Sequence, residues 1–193
     1  MDDADIRPAT RNDAPHVAAL LDIAGHGIEI DEWTAAMDRD HSLLATARRF
    51  VLERTDQPYH YSRAHLLHVD GEVAGCLIGG IVGEDTHVGD LPFDYQVPLV
   101  RLETLIPGYW SILSVAVYPE FRGRGLARRL IAHAVTLARE TGAKGLSLVV
   151  EDTNEGAIAL YTGQGFREAA RRPWLPYGTR RGPREWIMLT RPV

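Results

Sequence analysis

Arg122-Gly123-Arg124-Gly125-Leu126-Ala127 is the stretch of this chain whose residues point most directly to chemistry. Gly123 and Gly125 remove side chains where a ligand would come close to the backbone, and Arg122, Arg124 and Arg128 set positive charge beside them. An apolar run, Trp110 to Tyr118, precedes the segment and an amphipathic stretch follows it, so the unit reads as strand, turn, glycine-rich loop, helix. A helix starting there presents free amide N–H groups and the positive end of its dipole, which together suit a pyrophosphate. On these residues alone a plain tight turn with solvated arginines is an equal reading.

The elements that must position this loop follow from periodicity. Residues 5–9 read as a first strand. Asp13 is placed as an N-cap with Pro15 just inside a helix carrying Val17, Leu20, Leu21 and Ala24, and Gly25 ends it. Residues 31–37 and 41–54 are expected to be helical. The period then changes to β-like runs at 64–70 and 73–82 around Asp70-Gly71, a hairpin signal. Residues 84–109 hold Pro92, Pro98 and Pro107, with one short helix expected over 96–105. The strand 110–118 is apolar on both faces and hence central. A helix over 124–141 carries Leu126, Leu130, Ile131, Ala134, Leu137 and Ala138 on one side, and Gly142 caps it. A strand at 145–151, a helix at 154–163 and a strand pair at 166–174 and 184–191 complete an α/β fold with helices on both faces of one mixed sheet.

Arg122-x-x-Gly125-x-Ala127 follows Val115-Ala116-Val117-Tyr118-Pro119-Glu120, and Asn154-x-x-Ala157-x-x-Leu160-Tyr161-x-x-x-Gly165-Phe166 follows in turn. This pairing resembles the GNAT superfamily of N-acetyltransferases over residues 110–167. The resemblance extends more loosely to Ile6-Arg7-Pro8-Ala9-Thr10 with Asp13 and to the hairpin at 64–82. It implies a GNAT-like acyl-CoA N-acyltransferase fold, with a mostly antiparallel sheet and splayed central strands. It implies acetyl-CoA as cosubstrate, its pyrophosphate wrapped by Arg122, Gly123, Arg124, Gly125, Leu126 and Ala127 with Arg128 next on the helix. Its pantetheine arm would lie along Val115 and Val117 and meet Asn154, and Tyr161 would serve as general acid at the thioester sulfur. Bottom-up chemistry is compatible with each role. A phenol O–H can stabilise a thiolate leaving group, and an N–H near Val117 can hold charge developing on the acyl oxygen. The plainer readings are that Asn154 N-caps its helix, alone or in addition, and that Tyr161 is a core tyrosine.

The attacking amine must lose a proton, and many members of that family place a glutamate on the fourth strand for the purpose. Here that strand holds no acid, and Ser111 and Ser114 are its polar residues apart from the aromatic tips. Glu103, Glu151 and Asp152 are the nearby candidates, with water as the alternative. The histidines show no metal-ligand spacing, so no metal is expected. Cys76, the only cysteine, sits among Val73, Leu77 and Ile78 and reads as a buried, inert thiol.

Glu29, Asp31 and Glu32, and Glu84, Asp85, Asp90 and Asp94, form two acidic stretches accompanied by Trp33, Tyr95, Trp110, Trp174 and Tyr177. Acids and aromatic faces suit a small cationic amine as acceptor, and solvated loops are the plain alternative. A formal net charge of -5 argues against nucleic acid as a partner. With 193 residues, 45% of them apolar, one domain over 1–193 is expected; no apolar run suits a membrane, and the N-terminus has no signal-like run. A cytoplasmic protein is therefore expected, and a homodimer is compatible with the sequence. A non-catalytic acyl-CoA-binding module on the same fold is the second functional reading. A Rossmann-type nucleotide binder is the third and fits poorly, because the motif comes late and lacks its third glycine.

Overall fold

The computed structural model describes residues 4–39, 42–55, 57–83, 91, 93–177 and 181–193. Among them the strands are β1 (Ala4–Pro8), β2 (Ala64–Val69), β3 (Glu72–Ile81), β4 (Trp110–Val117), β5 (Leu146–Glu151), β6 (Arg167–Pro173) and β7 (Glu185–Arg191). The helices are α1 (Ala14–Gly25), α2 (Ile28–Ala35), α3 (Leu43–Glu53), α4 (Val97–Glu103), α5 (Leu126–Glu140) and α6 (Glu155–Gly163). The strands form one sheet in the order β1-β2-β3-β4-β5-β7-β6. β4 and β5 run parallel, and the pairs β1–β2, β2–β3, β5–β7 and β6–β7 run antiparallel. β3 and β4 are antiparallel as well, since Tyr118 N donates to Ala74 O at 2.9 Å and Val82 N to Tyr109 O at 2.8 Å. The mixed, mostly antiparallel α/β sheet is therefore as expected.

The chain divides into two compact units. In the first, Met1–Gly79 with Leu113–His133, the core gathers Val17, Leu20 and Leu21 of α1, Trp33 of α2, Ala47 and Val51 of α3, and Ala64, Leu66, Cys76 and Ile78 of the sheet. Asp70 and Gly71 take φ of 52° and 86°, the left-handed pair that closes a two-residue hairpin between β2 and β3. Gly75 is needed for a different reason: a Cβ there would lie 2.7 Å from Ala116 O and 3.2 Å from a Leu130 methyl, so the β4 backbone could not sit as close. Burial raises the Cys76 thiol well above its ordinary range and leaves it inert, as its neighbours suggested.

Two local expectations change. Asp13 does stand just before α1, but its side chain makes no cap. Its carboxylate accepts from Arg7 at 2.8 and 3.0 Å and from the amide and hydroxyl of Thr10, each at 2.7 Å, and the Arg7 guanidinium holds it far below the usual carboxylate range. And α2 starts at Ile28 rather than at 31. His26 and Gly27 both adopt positive φ, 52° and 85°, so the chain turns within two residues and Glu29 becomes helical.

The second unit is Gly80–Ile112 with Ala134–Val193. Here β5 pairs with β4 through Trp110–Ile112 and with β7 along its whole length. Phe166 is fully buried after the helix stop at Gly165, whose φ is +87°. Leu126, Leu130, Ile131, Ala134 and Ala138 line the buried side of α5, which extends through both units. Each buried Leu or Ile there contributes roughly 1.5–3 kcal/mol. Gly142, at φ +67°, ends that helix as expected. No helix among the described residues is long and apolar enough to cross a membrane.

Candidate active site

In the first unit the loop between β4 and α5 is built in two steps. A turn at Pro119–Phe121 leads off β4, and Arg122 N donates to Pro119 O at 3.2 Å. Arg122 then folds back, and its Nε donates to Val117 O at 3.1 Å, which fastens the loop to the strand end. Gly123 and Gly125 both hold φ near +80°, at 79° and 77°, and an added Cβ at either would meet nothing within 4 Å. Glycine is thus required by the backbone here rather than by crowding, and the space over both residues is open. The amides of Gly123, Gly125, Leu126 and Ala127 make no backbone hydrogen bond, whereas those of Arg128 and Arg129 already turn to Gly125 O. Four unspent donors at the start of a helix form a concave anion cradle. Arg128 is exposed beside it, and Arg124 places its guanidinium 5.6 Å from the Phe121 ring.

Val115 and Val117 lie on the half of β4 beyond its ladder with β5, which covers Trp110–Ile112 alone. Tyr118 N points to β3, so the alternation of backbone groups turns those of Val117 and Val115 the other way. The use of Val117 O by Arg122 agrees with this, and the Val117 N–H remains on the same side.

Asn154 and Tyr161 belong to the second unit. Asn154 is the N-cap of α6, its Oδ1 accepting from Ala157 N at 3.2 Å. The plainer reading of Asn154 thus holds, and its amide NH₂ is still able to donate. Tyr161 is 8% exposed and packs edge-on against Phe166, ring centroids 5.9 Å apart. Burial pushes its phenol up to about 12, so it stays protonated at ordinary pH and keeps an O–H able to donate.

The three candidate bases separate by their surroundings. Glu151 is buried at the end of β5 and accepts from Tyr177 Oη at 3.0 Å. Asp152 accepts from Arg184 N at 3.0 Å and so ties down the start of β7. Glu103, at the end of α4, has its carboxyl pushed up to about 7 by burial, where a general base is most useful.

Spacing alone did not show what surrounds Glu151. Tyr177 lies between Tyr95 and Trp174, with centroids 5.4 and 5.5 Å away, and Phe93 stacks on Tyr95 at 5.2 Å. Tyr95, Trp174 and Tyr177 therefore come together, each of them buried. Trp33 belongs to the helical core of the first unit. Trp110 is buried in β4. The acidic stretches are not uniformly the solvated loops of the plain alternative. Glu29 is 6% exposed, and burial raises its carboxyl to about 8. Asp31 and Glu32 are half-buried, Asp94 opens the turn before α4, and Glu84, Asp85 and Asp90 lie outside the described residues. A further pairing, His65 with His133, joins residues far apart in sequence that spacing could not connect.

The profile of the Acetyltransferase (GNAT) family matches residues 29–166. The chain is 37% identical over 84 residues to a ribosomal protein bS18-alanine N-acetyltransferase of Salmonella typhimurium, covering 43% of this chain and 55% of that protein. It thus spans about half the length of that curated relative. Among solved structures, an N-acetyltransferase from Staphylococcus aureus Mu50 superposes with a TM-score of 0.66 at 21% identity, covering 96% of this chain and 99% of that one. A GNAT family acetyltransferase from Elizabethkingia anophelis, solved with acetyl-CoA bound, superposes with a TM-score of 0.60 at 18% identity over 100% of both chains.

Proposed function

Since the chain belongs to the GNAT family of acetyltransferases, we propose that residues 1–193 act as one enzyme that moves an acetyl group from acetyl-CoA to a primary amine. The observation that carries this reading is the run of unspent amides at Gly123, Gly125, Leu126 and Ala127, open to an anion at the start of α5. The acetyl-CoA held by the Elizabethkingia anophelis relative supports the choice of cosubstrate.

Bound acetyl-CoA supplies the activated thioester. The chain does the rest. Arg122 through Ala127 bind the pyrophosphate, with Arg128 adding charge. The edge of β4 at Val115 and Val117 orients the pantetheine arm, and the Val117 N–H holds negative charge developing on the acyl oxygen. Asn154 donates its amide N–H to the arm while its oxygen caps α6. Tyr161 donates a hydrogen bond from its O–H to the charge building on the departing sulfur. Glu103 takes the proton from the attacking amine, because a carboxyl near 7 is partly ionised at neutral pH and still basic enough to accept.

For the acceptor we favour a small primary amine with net positive charge over a protein lysine or a nucleic acid. The carboxylate of Glu151 beside the rings of Tyr177, Tyr95 and Trp174 supports this, since a cation is held by both kinds of group. The similarity to an enzyme named for the alanine of a ribosomal protein favours a second acceptor, a peptide α-amine. CoA release measured with acetyl-CoA, polyamine-like amines and short peptides separates the two. Tight CoA binding without turnover of any amine would instead leave an acyl-CoA-binding module. If CoA fails to bind at all, the assignment falls.

A further inference from the structure

His65 and His133 meet on the first unit. His65 lies on β2, paired with Pro8 of β1 and Leu77 of β3. Its neighbours Ala64 and Leu66 are fully buried in the core formed with α1 and α3, so alternation sends His65 to the opposite face, where His133 comes down from α5. His65 Nδ1 and His133 Nε2 are 3.0 Å apart, the ring centroids are 4.7 Å apart and the ring planes cross at 60°. Both side chains are half-buried, so the pair is reachable from solvent.

From this geometry we propose that His65 and His133 form a binding site for a borderline transition-metal ion of the Zn²⁺, Ni²⁺ and Cu²⁺ class. Two imidazole nitrogens that each lie about 2.0–2.1 Å from one ion are themselves roughly 3 Å apart when the ion subtends a near-right angle. The 3.0 Å separation meets that condition. The centroid distance points the same way. A linear N–H···N bond between imidazoles keeps both rings on the line of the bond, with centroids roughly 5.3 Å apart for nitrogens at this separation. The observed 4.7 Å is shorter, so the contact is bent rather than linear, and rings tilted equally toward a shared ion would give that distance. Imidazole selects Zn²⁺, Ni²⁺ and Cu²⁺ over Mg²⁺ and Ca²⁺, which prefer oxygen. His65 and His133 supply two ligands and water completes the shell; among the described residues no group of three or more histidine, cysteine or acidic side chains suited to a metal occurs. The ion would pin α5 to β2, eight residues beyond the loop that ends at Gly125.

The test uses the full chain without a histidine tag, stripped with chelator and dialysed. Calorimetric titration with ZnCl₂ and with NiCl₂ is expected to show one ion per chain, with MgCl₂ giving no heat. His133→Ala and His65→Gln should each weaken Zn²⁺ binding at least tenfold, with the circular dichroism spectrum unchanged. Because either variant could perturb packing, Cu²⁺ spectroscopy of the unmodified chain gives an independent reading, in which splitting from two equivalent imidazole nitrogens is expected. No saturable binding up to about 1 mM Zn²⁺ would overturn the proposal and leave a hydrogen bond between two imidazoles. So would binding that survives in both variants, or copper splitting from one nitrogen only.

Discussion

Replacing Tyr161 by Phe deletes one oxygen from a buried ring, which makes it the cleanest probe of the proposed chemistry. The ring keeps its edge-on contact with Phe166. Among the described residues the hydroxyl makes no hydrogen bond, so none is lost, and the melting temperature should change little. The catalytic cost is set by what the phenol does. With its pKa pushed up to about 12, it is a poorer acid than the departing thiol, whose ordinary value is about 8.5. Full proton transfer between them is uphill by roughly 3.5 units, about 5 kcal/mol. A hydrogen bond to the charge building on sulfur therefore carries the effect, and such bonds contribute about 1.5–3 kcal/mol, or roughly 10- to 150-fold. The variant is expected to lose about 10²-fold in kcat, at the lower end of the range for a general acid, with the Kd for acetyl-CoA unchanged. Steady-state thiol release reads kcat, calorimetry reads Kd, and a viscosity series shows whether chemistry limits the rate. An unchanged kcat with chemistry limiting would make Tyr161 a packing residue. A parallel loss of melting temperature would refute the reasoning about its hydroxyl.

Gly125→Ala forces a side chain into a φ of +77° but into empty space, so strain of about 1–2 kcal/mol falls on the loop alone. CoA affinity measured by calorimetry should drop about tenfold, Gly125→Glu should abolish it, and wild-type binding in both would show that the loop is not the cradle. Glu103→Gln should lower kcat/KM at pH 7.5 by about 10²-fold or more and erase the rising limb centred near pH 7; a profile that keeps that limb assigns the base elsewhere. Glu29 has a folded pKa near 8 against an ordinary 4.5, so the folded chain holds a proton that the unfolded chain has released between those values. The stability it allows is complete below about pH 4.5 and is lost as pH rises through about 8, on the order of a few kcal/mol. Melting temperatures should accordingly fall across that window, and Glu29→Gln should flatten the fall; an equal slope in both proteins would contradict it. If Glu151 and its aromatic neighbours hold a cationic acceptor, Glu151→Gln should raise the KM for cationic amines and leave CoA affinity alone, and equal use of neutral and cationic amines by the unmodified chain would remove that reading.

Most of the architecture is legible in the sequence, for reasons that are local. Glycine at positive φ, proline after a strand, and apolar residues spaced at two or at three to four are properties of short stretches of chain. So the Asp70-Gly71 hairpin, the stripe of α5, the stop at Gly142 and the glycine loop from Arg122 to Ala127 could all be read in order. The error at α2 was local too. His26 at positive φ is rare enough that a continuous helical restart at Ile28 was not anticipated.

What the sequence determined by itself was the set of groups that carry partial charge along the backbone: where amides are left unspent, where a phenol sits on a helix, and where the fourth strand lacks an acid. What it could not determine was the environment of side chains brought together from distant parts of the chain. Glu103, Glu151 and Asp152 were indistinguishable as acids, because their difference lies in what surrounds them. One is desolvated, one bonded to Tyr177 and one to the Arg184 amide. Glu29 looked like a solvated charge until packing buried it, and His65 had no visible partner until α5 brought His133 to within 3.0 Å. Desolvation and through-space contact depend on the whole set of neighbours, and those neighbours are chosen by tertiary packing rather than by position along the chain.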